Sequence, residues 1–203
     1  MTKTDFNREK TLVIIKPDAV QRSLIGELIK RYEQTGLKLI AMKMMIPTKT
    51  QIEKHYTVDP EWLFKTGSKT ILSYKEKGLT PPSENPIDIA KIVLEKLKSY
   101  MSSGPAIVMV WTGMNAIGVV RKITGSTEPL TSSVGSIRGD YTIDSYQVSD
   151  TSDRAVRNLI HASSSVAEAE AEIDIWFDRK ELIKYCLFNE VVLYDTNLDG
   201  ILE

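Results

Sequence analysis

The sequence holds few of the residues that cross-link a chain or bind metals. Its 203 residues include one cysteine, two histidines and four phenylalanines. The single Cys186 excludes an intramolecular disulfide framework and fits a reducing compartment. No apolar run approaches the ~18 residues of a membrane span, and the polar N-terminus lacks the apolar stretch of a secretory signal. We therefore expect a cytoplasmic protein with no membrane partner.

The chain also lacks a marked charge of either sign. Its 26 basic and 27 acidic residues give a net charge of −1. This balance argues against general affinity for nucleic acid, so no nucleic-acid partner is required. The length suits one domain that carries insertions, and the apolar content of 42% is ordinary for a folded chain. We expect residues 1–203 to form a single domain.

The spacing of apolar residues predicts alternating strands and helices. Short apolar runs predict strands over residues 11–15, 37–45 and 106–111. Apolar stripes at helical spacing predict helices over residues 17–35, 50–56, 115–124 and from 165 onward. Residues 126–153 are rich in Ser, Thr, Gly and Asp and predict a long irregular loop, while residues 156–160 fit a strand or a helix end. The alternation favours an α/β or α+β fold around one sheet.

Residues 65–101 differ in character from their surroundings. The segment 69–77 looks helical and stops at Gly78. Asn85 and Pro86 then form an N-cap with proline at the first helical position, which predicts a second helix to about Met101. We interpret residues 65–101 as a helical hairpin inserted into the domain.

His161 is the first candidate for chemistry. It lies in the run Arg157-Asn158-Leu159-Ile160-His161-Ala162-Ser163, among a cation, an amide and hydroxyls. Imidazole can act as a nucleophile or a proton carrier near neutral pH. On this segment alone, the alternative that His161 only caps the end of a strand is almost as well supported.

The other rare side chains predict packing rather than chemistry. His55, beside Tyr56 on a short helix, is expected to be a surface or packing histidine. Cys186 lies in an apolar-aromatic stretch and is expected to be a small buried hydrophobe. The three tryptophans are expected in the core: Trp62, Trp111 and Trp176.

Three polar clusters stand where apolar elements give way to turns: Lys16-Pro17-Asp18, Arg121 with 125–129, and residues 136–140. Each cluster alone is compatible with a structural role. Together they supply cations, hydroxyls and an amide that suit a polyphosphate facing a nucleophilic imidazole: Lys16, Arg121, Arg138, Thr127, Tyr56 and Asn158. The sequence has no P-loop, and one Cys with two His cannot fill a tetrahedral zinc site.

The order of these segments resembles that of nucleoside diphosphate kinases. The likeness covers most of residues 9–180. The segments that carry it are Thr-Leu-Val-Ile-Ile-Lys-Pro-Asp-Ala-Val-Gln-Arg from Thr11, the pair His55-Tyr56, Ser103-Gly104-Pro105, Gly125-Ser126-Thr127-Glu128-Pro129, Ile137-Arg138-Gly139-Asp140, and the run around His161.

The resemblance implies a ferredoxin-like βαββαβ core with a four-stranded antiparallel sheet. It also implies transfer of the γ-phosphate of a nucleoside triphosphate to a nucleoside diphosphate. The implied mechanism is ping-pong, through a phosphohistidine on His161, and it would supply nucleoside and deoxynucleoside triphosphates other than ATP.

The resemblance assigns a role to each matched side chain. Lys16 and Asn158 match groups that hold the sugar 3′-hydroxyl. The matched phosphate contacts are Tyr56, Arg121, Thr127 and Arg138. Phe64 has the spacing of the aromatic that stacks on the base, with Trp62 as a rival, and Leu97 matches the residue on the other face of the base. Ser163 and Glu172 match the hydroxyl and carboxylate that support the imidazole.

Two partners are implied beside the nucleotides. Mg²⁺ is expected to be bound through the nucleotide phosphates, because the matched site offers no carboxylate cage and therefore no metal ligand of its own. A homo-oligomer is expected, a hexamer by resemblance, with a tetramer or dimer left open.

The chain departs from the family pattern in several places. It is longer between Phe64 and Ser103, longer between Arg138 and Asn158, and extended at the C-terminus over about 186–203. Ser164, Glu128 and Val134 stand where most members carry aspartate, asparagine and proline.

Two other function classes compete with an active kinase. One is a non-catalytic nucleotide-binding or regulatory protein on the same fold, which loss of the histidine, the lysine or an arginine would favour. The other is a nucleic-acid-binding module, since similar folds serve that purpose. The intact residue set and the near-zero net charge count against both.

Overall fold

A four-stranded antiparallel sheet forms the centre of the computed structural model, which describes residues 8–76 and 78–195. The strands run in the order β2-β3-β1-β4, and each neighbouring pair is antiparallel. Their bounds are β1 Arg8–Ile15, β2 Lys38–Met45, β3 Ala106–Met114 and β4 Ile160–Ala162. The sheet order and the mixed helices confirm the predicted fold class.

Helices cover both faces of this sheet. Along β1, Val13 and Ile15 pack on one side while Leu12 and Ile14 pack on the other, as strand geometry requires. One face is covered by α1 Pro17–Gln21, α2 Ile25–Glu33, α6 Ala116–Thr124 and α7 Ile137–Tyr141, and the other by α3 Lys49–Tyr56, α5 Pro86–Met101 and α9 Val166–Trp176. Helices therefore bury both faces of the central strands, which accounts for the unbroken apolar runs of these strands.

The helix predicted over residues 17–35 is two helices. Ser23 separates α1 from α2 and has φ 57°. A left-handed residue cannot continue a right-handed helix, so the chain turns there while keeping the apolar stripe on both pieces. The stripe predicted the buried face but not the break.

The predicted hairpin contains two helices, and the first of them, α4 Trp62–Glu76, begins earlier than predicted. The second is α5, where Asn85 Oδ1 accepts a hydrogen bond from Ile87 N at 2.9 Å. The helices cross closely at Gly67, since a Cβ there would lie 1.8 Å from the backbone oxygen of Pro86. That contact fixes the spacing of α4 and α5.

The prediction of an irregular loop over residues 126–153 is wrong. The segment contains a 3-10 turn at Pro129–Thr131, the helix α7, and the helix α8 Tyr146–Thr151. Ser136 and Ser145 begin α7 and α8, and their hydroxyls accept hydrogen bonds from Gly139 N and Val148 N. Serine is common in loops and is also a preferred N-cap, so composition alone misled the prediction.

The C-terminal segment runs along the outer edge of β2. Ile183 N donates to Ile40 O at 2.8 Å, and Lys38 pairs with Glu190 of the short helix α10 Glu190–Leu193. Cys186 is exposed on this segment, so the prediction of a buried cysteine is wrong. The segment lies on the outside of the sheet edge. The described residues exclude residues 1–7 of the polar N-terminus and residues 196–203 of the predicted C-terminal extension.

Within the described part of the chain, no helix combines the length and apolar character needed to cross a bilayer.

Candidate active site

A cavity of about 460 Å³ opens at one end of the sheet, walled by α3, α4, α5 and α8. Its lining includes most of the residues that the sequence singled out: Lys16, Tyr56, Leu97, Arg121, Thr127, Arg138, Asn158, His161 and Glu172. Segments that are far apart in sequence therefore meet in one place. Ser163 stands one contact behind the lining, and Phe64 is not brought to the cavity.

His161 lies on the edge strand β4, opposite Ile14 of β1. Its Nε2 is buried and lies 2.9 Å from Glu172 Oε1, although the carboxylate is not aligned for a hydrogen bond along the ring N–H. Burial, and then the nearby charge of Lys16, hold the pKa of His161 well below its usual value. The ring is therefore neutral at neutral pH, with an unshared electron pair available on one nitrogen.

Glu172 is a buried carboxylate on α9, only 1% exposed. Ser163 Oγ donates to its Oε2 at 2.6 Å, and Leu12 N in turn donates to Ser163 Oγ at 3.1 Å. Burial raises the pKa of Glu172, while His55 and the Ser163 hydrogen bond act in the opposite direction. Ser163 thus links the carboxylate to the backbone of β1 and fixes its position beside His161.

His55 is a packing histidine, but it is not at the surface. It is 3% exposed, and its ring meets that of His161 edge-on with centroids 4.4 Å apart. Trp176 Nε1 donates a hydrogen bond to His55 Nδ1 at 3.2 Å. The same Nδ1 lies 3.4 Å from Glu172 Oε1. Burial, with His161 adding to the effect, lowers the pKa of His55 to about 3, so this ring is neutral as well.

The two imidazoles and the carboxylate place their ligand atoms within 4.8 Å of one another. Two histidines and a carboxylate form a donor set that transition metals accept. Here Nδ1 of His55 already accepts the Trp176 indole, and Glu172 already accepts the Ser163 hydroxyl. We therefore interpret the group as a buried polar support for the His161 ring, held in place by hydrogen bonds from Trp176 and Ser163.

Lys16 is the cation nearest the floor of the cavity. It is buried, and its Nζ donates to Asn158 Oδ1 at 2.7 Å. Asn158 Nδ2 donates to Thr127 O at 2.9 Å, which joins three of the predicted residues in one chain of contacts. Burial and then the charge of Arg138 lower the pKa of Lys16 to about 7, against a raising effect of Asp18.

Arg138 ties two segments together with its guanidinium. It donates to Gly125 O, Ser126 O and Ile160 O and, through Nε, to Asn158 O. These bonds use four of the five N–H donors of an arginine, so one remains for a ligand. Burial lowers the pKa of Arg138 to about 10, and the side chain stays charged at neutral pH.

Arg121 and Thr127 form the exposed side of the cavity, while Tyr56 forms part of its inner wall. Arg121 lies in the last turn of α6, and within the described residues it has no acidic partner. Burial raises the pKa of Tyr56, so its phenol stays protonated and can donate a hydrogen bond. These three groups can all donate hydrogen bonds to phosphate oxygens.

Trp62, rather than Phe64, faces the cavity. Phe64 is 60% exposed, whereas Trp62 lines the cavity with its ring centroid 5.7 Å from that of Tyr56. Both residues belong to α4, whose cavity-lining positions recur at helical spacing. Two residues along a helix correspond to about 200° of rotation, so Phe64 points away when Trp62 points in. Leu97 lines the cavity from α5.

A strained turn precedes His161 at the wall of the cavity. Leu159 has φ 65°, and Ile160 N donates to Asn158 O at 2.7 Å across it. This γ-turn is uncommon for a residue with a side chain. Lys16 N donates to Leu159 O at 2.8 Å and Asp18 Oδ2 accepts from Leu159 N at 3.2 Å, so the neighbouring Lys16-Pro17-Asp18 turn holds it in place.

Among the lining residues that the sequence patterns missed are Lys69 of α4 and Tyr146 of α8. Both lie between the motifs that carry the family resemblance, so no motif was available to single them out. The one signal was Glu128, a departure from the family pattern: its Oε1 accepts from Tyr146 N at 2.9 Å and so anchors α8 to the cavity.

The chain is similar in sequence to nucleoside diphosphate kinases. The nucleoside diphosphate kinase family model matches residues 9–73 and 88–182. The nucleoside diphosphate kinase of Pyrobaculum aerophilum is 44% identical over 180 residues, which cover 87% of this chain and 98% of that protein. Nucleoside diphosphate kinase B of Homo sapiens is 37% identical over 179 residues, 88% of this chain and 92% of that protein.

Solved structures show the same likeness. A crystal structure of an NDP kinase from Pyrobaculum aerophilum matches with a TM-score of 0.84 and 42% identity, over 87% of this chain and 100% of the other. A transition-state mimic of the Borrelia burgdorferi nucleoside-diphosphate kinase, with bound vanadate and ADP, matches with a TM-score of 0.75 and 34% identity, over 91% and 96%. Fold, cavity and relatives agree, and the chain belongs to the nucleoside diphosphate kinase family, a family of nucleotide phosphotransferases.

Proposed function

We propose that His161 is the residue of this kinase that carries the phosphoryl group between nucleotides. One observation carries the assignment: a buried, neutral imidazole stands with Nε2 against Glu172, at 2.9 Å, in a cavity whose lining includes Lys16, Arg121 and Arg138. Because Nε2 faces the carboxylate, Nδ1 is the nitrogen on the cavity side.

The transfer then follows in two balanced halves. Nδ1 attacks the γ-phosphorus in line, the bond from the γ-phosphorus to the bridging oxygen breaks, and the nucleoside diphosphate leaves with that oxygen. The proton on Nε2 stays with the ring, and the Glu172 carboxylate offsets the positive charge that develops there. A second diphosphate enters the same cavity, and a terminal oxygen of its β-phosphate attacks the phosphorus of the phosphohistidine. The bond from that phosphorus to Nδ1 breaks, its electron pair returns to Nδ1, and a nucleoside triphosphate leaves.

The other lining residues divide the nucleotide among them. Arg121, Arg138, Thr127 and Tyr56 contact the phosphates. Lys16 and Asn158, already bonded to each other at 2.7 Å, hold the sugar 3′-hydroxyl. Trp62 and Leu97 enclose the base, with Trp62 taking the stacking role that the sequence spacing had given to Phe64. Stacking on a π-face discriminates weakly among bases, which suits an enzyme that serves several nucleotides.

Mg²⁺ enters with the nucleotide as part of the substrate. The residues that contact the phosphates, Tyr56, Arg121, Thr127 and Arg138, are cations and hydroxyls rather than the carboxylates and carbonyls that form a magnesium cage. The ion would offset phosphate charge during transfer, and the protein would bind it only through the nucleotide.

We also propose that copies of the chain associate in the cytoplasm. Met42, Met44 and Ile46 are exposed on or just after the edge strand β2, and apolar edge residues of this kind are typical of contact surfaces. Within each copy, residues 65–101 form an inserted hairpin of a single domain, and the family match breaks inside this hairpin, between residues 73 and 88.

Labelled phosphate tests the central assignment. We expect Mg-ATP with a labelled γ-phosphate to give an acid-labile, alkali-stable phosphoprotein, and added GDP to move the label into GTP. His161→Ala should abolish both steps and keep the circular dichroism spectrum of the wild type. Retained label in that variant would place the nucleophile elsewhere.

A further inference from the structure

Two helices that lie between the family motifs, α4 and α8, meet at the cavity. Lys69 of α4 places its Nζ 5.8 Å from the ring centroid of Tyr146 on α8. Both side chains line the cavity. An ammonium over an aromatic face is held by the ring quadrupole and keeps its charge available for another partner.

Lys69 has no counter-ion among the described residues. Four other lysines of the hairpin are paired with carboxylates: Lys65 with Asp59 and Glu61, Lys75 with Glu84, Lys96 with Asp153, and Lys98 with Glu53 and Glu95. Of the two hairpin lysines that line the cavity, Lys96 is therefore neutralised by an ion pair and Lys69 is not. Arg121, a matched phosphate contact, shares this condition.

Tyr146 stands at the phosphate end of the cavity. Its backbone N–H is bonded to Glu128 at 2.9 Å, and Glu128 directly follows Thr127 in the chain. Burial raises the pKa of the Tyr146 phenol, and Arg138 is near enough to act in the opposite direction. The ring that lies beneath the Lys69 ammonium is therefore anchored to the chain segment of Thr127, and Lys69, Thr127 and Arg138 line the same cavity.

We propose that Lys69, supported by the ring of Tyr146, is an additional phosphate-binding residue that contacts the outer phosphates of a bound nucleoside di- or triphosphate. The proposal rests on the proposed function of this cavity and extends it to residues outside the family motifs. No bond to Lys69 forms or breaks in either half of the transfer, so its role is to bind and position the nucleotide.

Binding measurements on matched lysine variants test the proposal. Lys69→Met should raise the Kd of ADP about tenfold, the equivalent of about 1.4 kcal/mol, and should change the Kd of AMP less than about twofold because the charge meets the outer phosphate. Lys69→Arg should keep the Kd of ADP within about threefold of wild type because it keeps the charge. The matched control is Lys65→Met, on the same helix but outside the cavity, and should leave both constants unchanged.

A double-mutant cycle tests the contribution of the aromatic ring. Tyr146→Leu should weaken ADP binding in the wild-type background, and the effect should largely disappear in the Lys69→Met background, because the ring acts by holding the ammonium. Thermal unfolding of each variant with wild-type cooperativity shows that the cavity is intact.

Two results would overturn the assignment: an unchanged Kd of ADP in Lys69→Met, or equal losses for ADP and AMP, which would put Lys69 at the sugar or the base. Failure of the proposed function has a different signature. A wild-type protein that binds ADP but never passes labelled phosphate to GDP would refute phosphotransfer while the Lys69 effect on ADP binding remained measurable.

Discussion

Replacing Glu172 with glutamine separates the electrostatic role of this carboxylate from its structural role. Glutamine keeps the shape of the side chain and removes its charge. The Ser163 hydroxyl can turn, because it lies 2.6 Å from Glu172 Oε2 and 3.4 Å from Leu12 O. It can then accept the new amide N–H and donate to the backbone, so the glutamine oxygen still faces His161 Nε2. The packing should survive and the charge alone should be lost.

The magnitude follows from the burial of the pair. The carboxylate lies 2.9 Å from the ring nitrogen without an aligned hydrogen bond, and we expect that bond to align as the ring becomes positive. A hydrogen bond to a charged group contributes about 1.5–3 kcal/mol, and loss of that amount in the transition state lowers kcat roughly 10- to 100-fold. Stability should move in the other direction. Burial raises the pKa of Glu172, so the folded state binds its proton more readily than the unfolded chain, and the carboxylate costs stability increasingly as pH rises above the unfolded pKa. Glutamine removes that cost.

The assay therefore has two readouts. Single-turnover phosphorylation by Mg-ATP gives the rate of the first half-reaction, and urea unfolding at several pH values gives the free energy of unfolding. We expect a slower rate together with unchanged or slightly greater stability at neutral pH, and a stability difference from wild type that shrinks as the pH falls. Equal losses of rate and stability would mean that Glu172 acts only through packing, and a wild-type rate would remove it from the mechanism.

Three further predictions concern other parts of the site and its walls. Lys16 has a pKa of about 7 in the free protein, and we expect the phosphates of bound ADP to raise it. Above pH 7, ADP binding should therefore take up a proton and weaken by up to about tenfold per pH unit. Calorimetry in buffers of different ionisation enthalpy measures the proton uptake. Trp62→Ala should raise the Kd of ADP about tenfold by loss of stacking, and Phe64→Ala should change it little. Gly67→Ala should lower the free energy of unfolding by about 2 kcal/mol, since the new Cβ meets backbone of α5, whereas Gly26→Ala meets nothing within 4 Å and should be neutral or stabilising.

A specific result would contradict each of these three predictions. Proton uptake that persists in Lys16→Met would assign the titration to another group. A larger effect of Phe64→Ala than of Trp62→Ala on ADP binding would mean that α4 turns when nucleotide binds. Equal stability of the two glycine variants in urea would show that α4 and α5 can separate without cost.

The sequence predicted the parts of the site that local chemistry determines. Buried strands need unbroken apolar runs, and the polar residues that follow them must lie at the sheet edge, so Lys16 and the His161 run were visible as candidates. The pairing of those segments was not predictable from spacing alone, because Lys16 and Asn158 are 142 positions apart and only the ordered family motifs indicated that they meet.

What escaped prediction depends on tertiary contacts. The break at Ser23 needs a left-handed residue that no pattern of apolar side chains records. That Trp62 rather than Phe64 lines the cavity depends on which face of α4 turns toward it, and this face is determined by the packing of α4 on α5. Lys69 and Tyr146 became candidates only when two separate helices were seen to share one wall.

The left-handed peptide at Leu159 has a consequence for how the enzyme fails. A side-chain-bearing residue in that region costs about 1–3 kcal/mol, and the hydrogen bonds with Lys16 and Asp18 hold it there. Loosening of the neighbouring turn would let this peptide relax and swing the imidazole out of register while most of the sheet remained paired. During gradual denaturation, phosphotransfer should therefore be lost before the far-ultraviolet circular dichroism signal. Activity would then report early unfolding of this protein more sensitively than its secondary structure does.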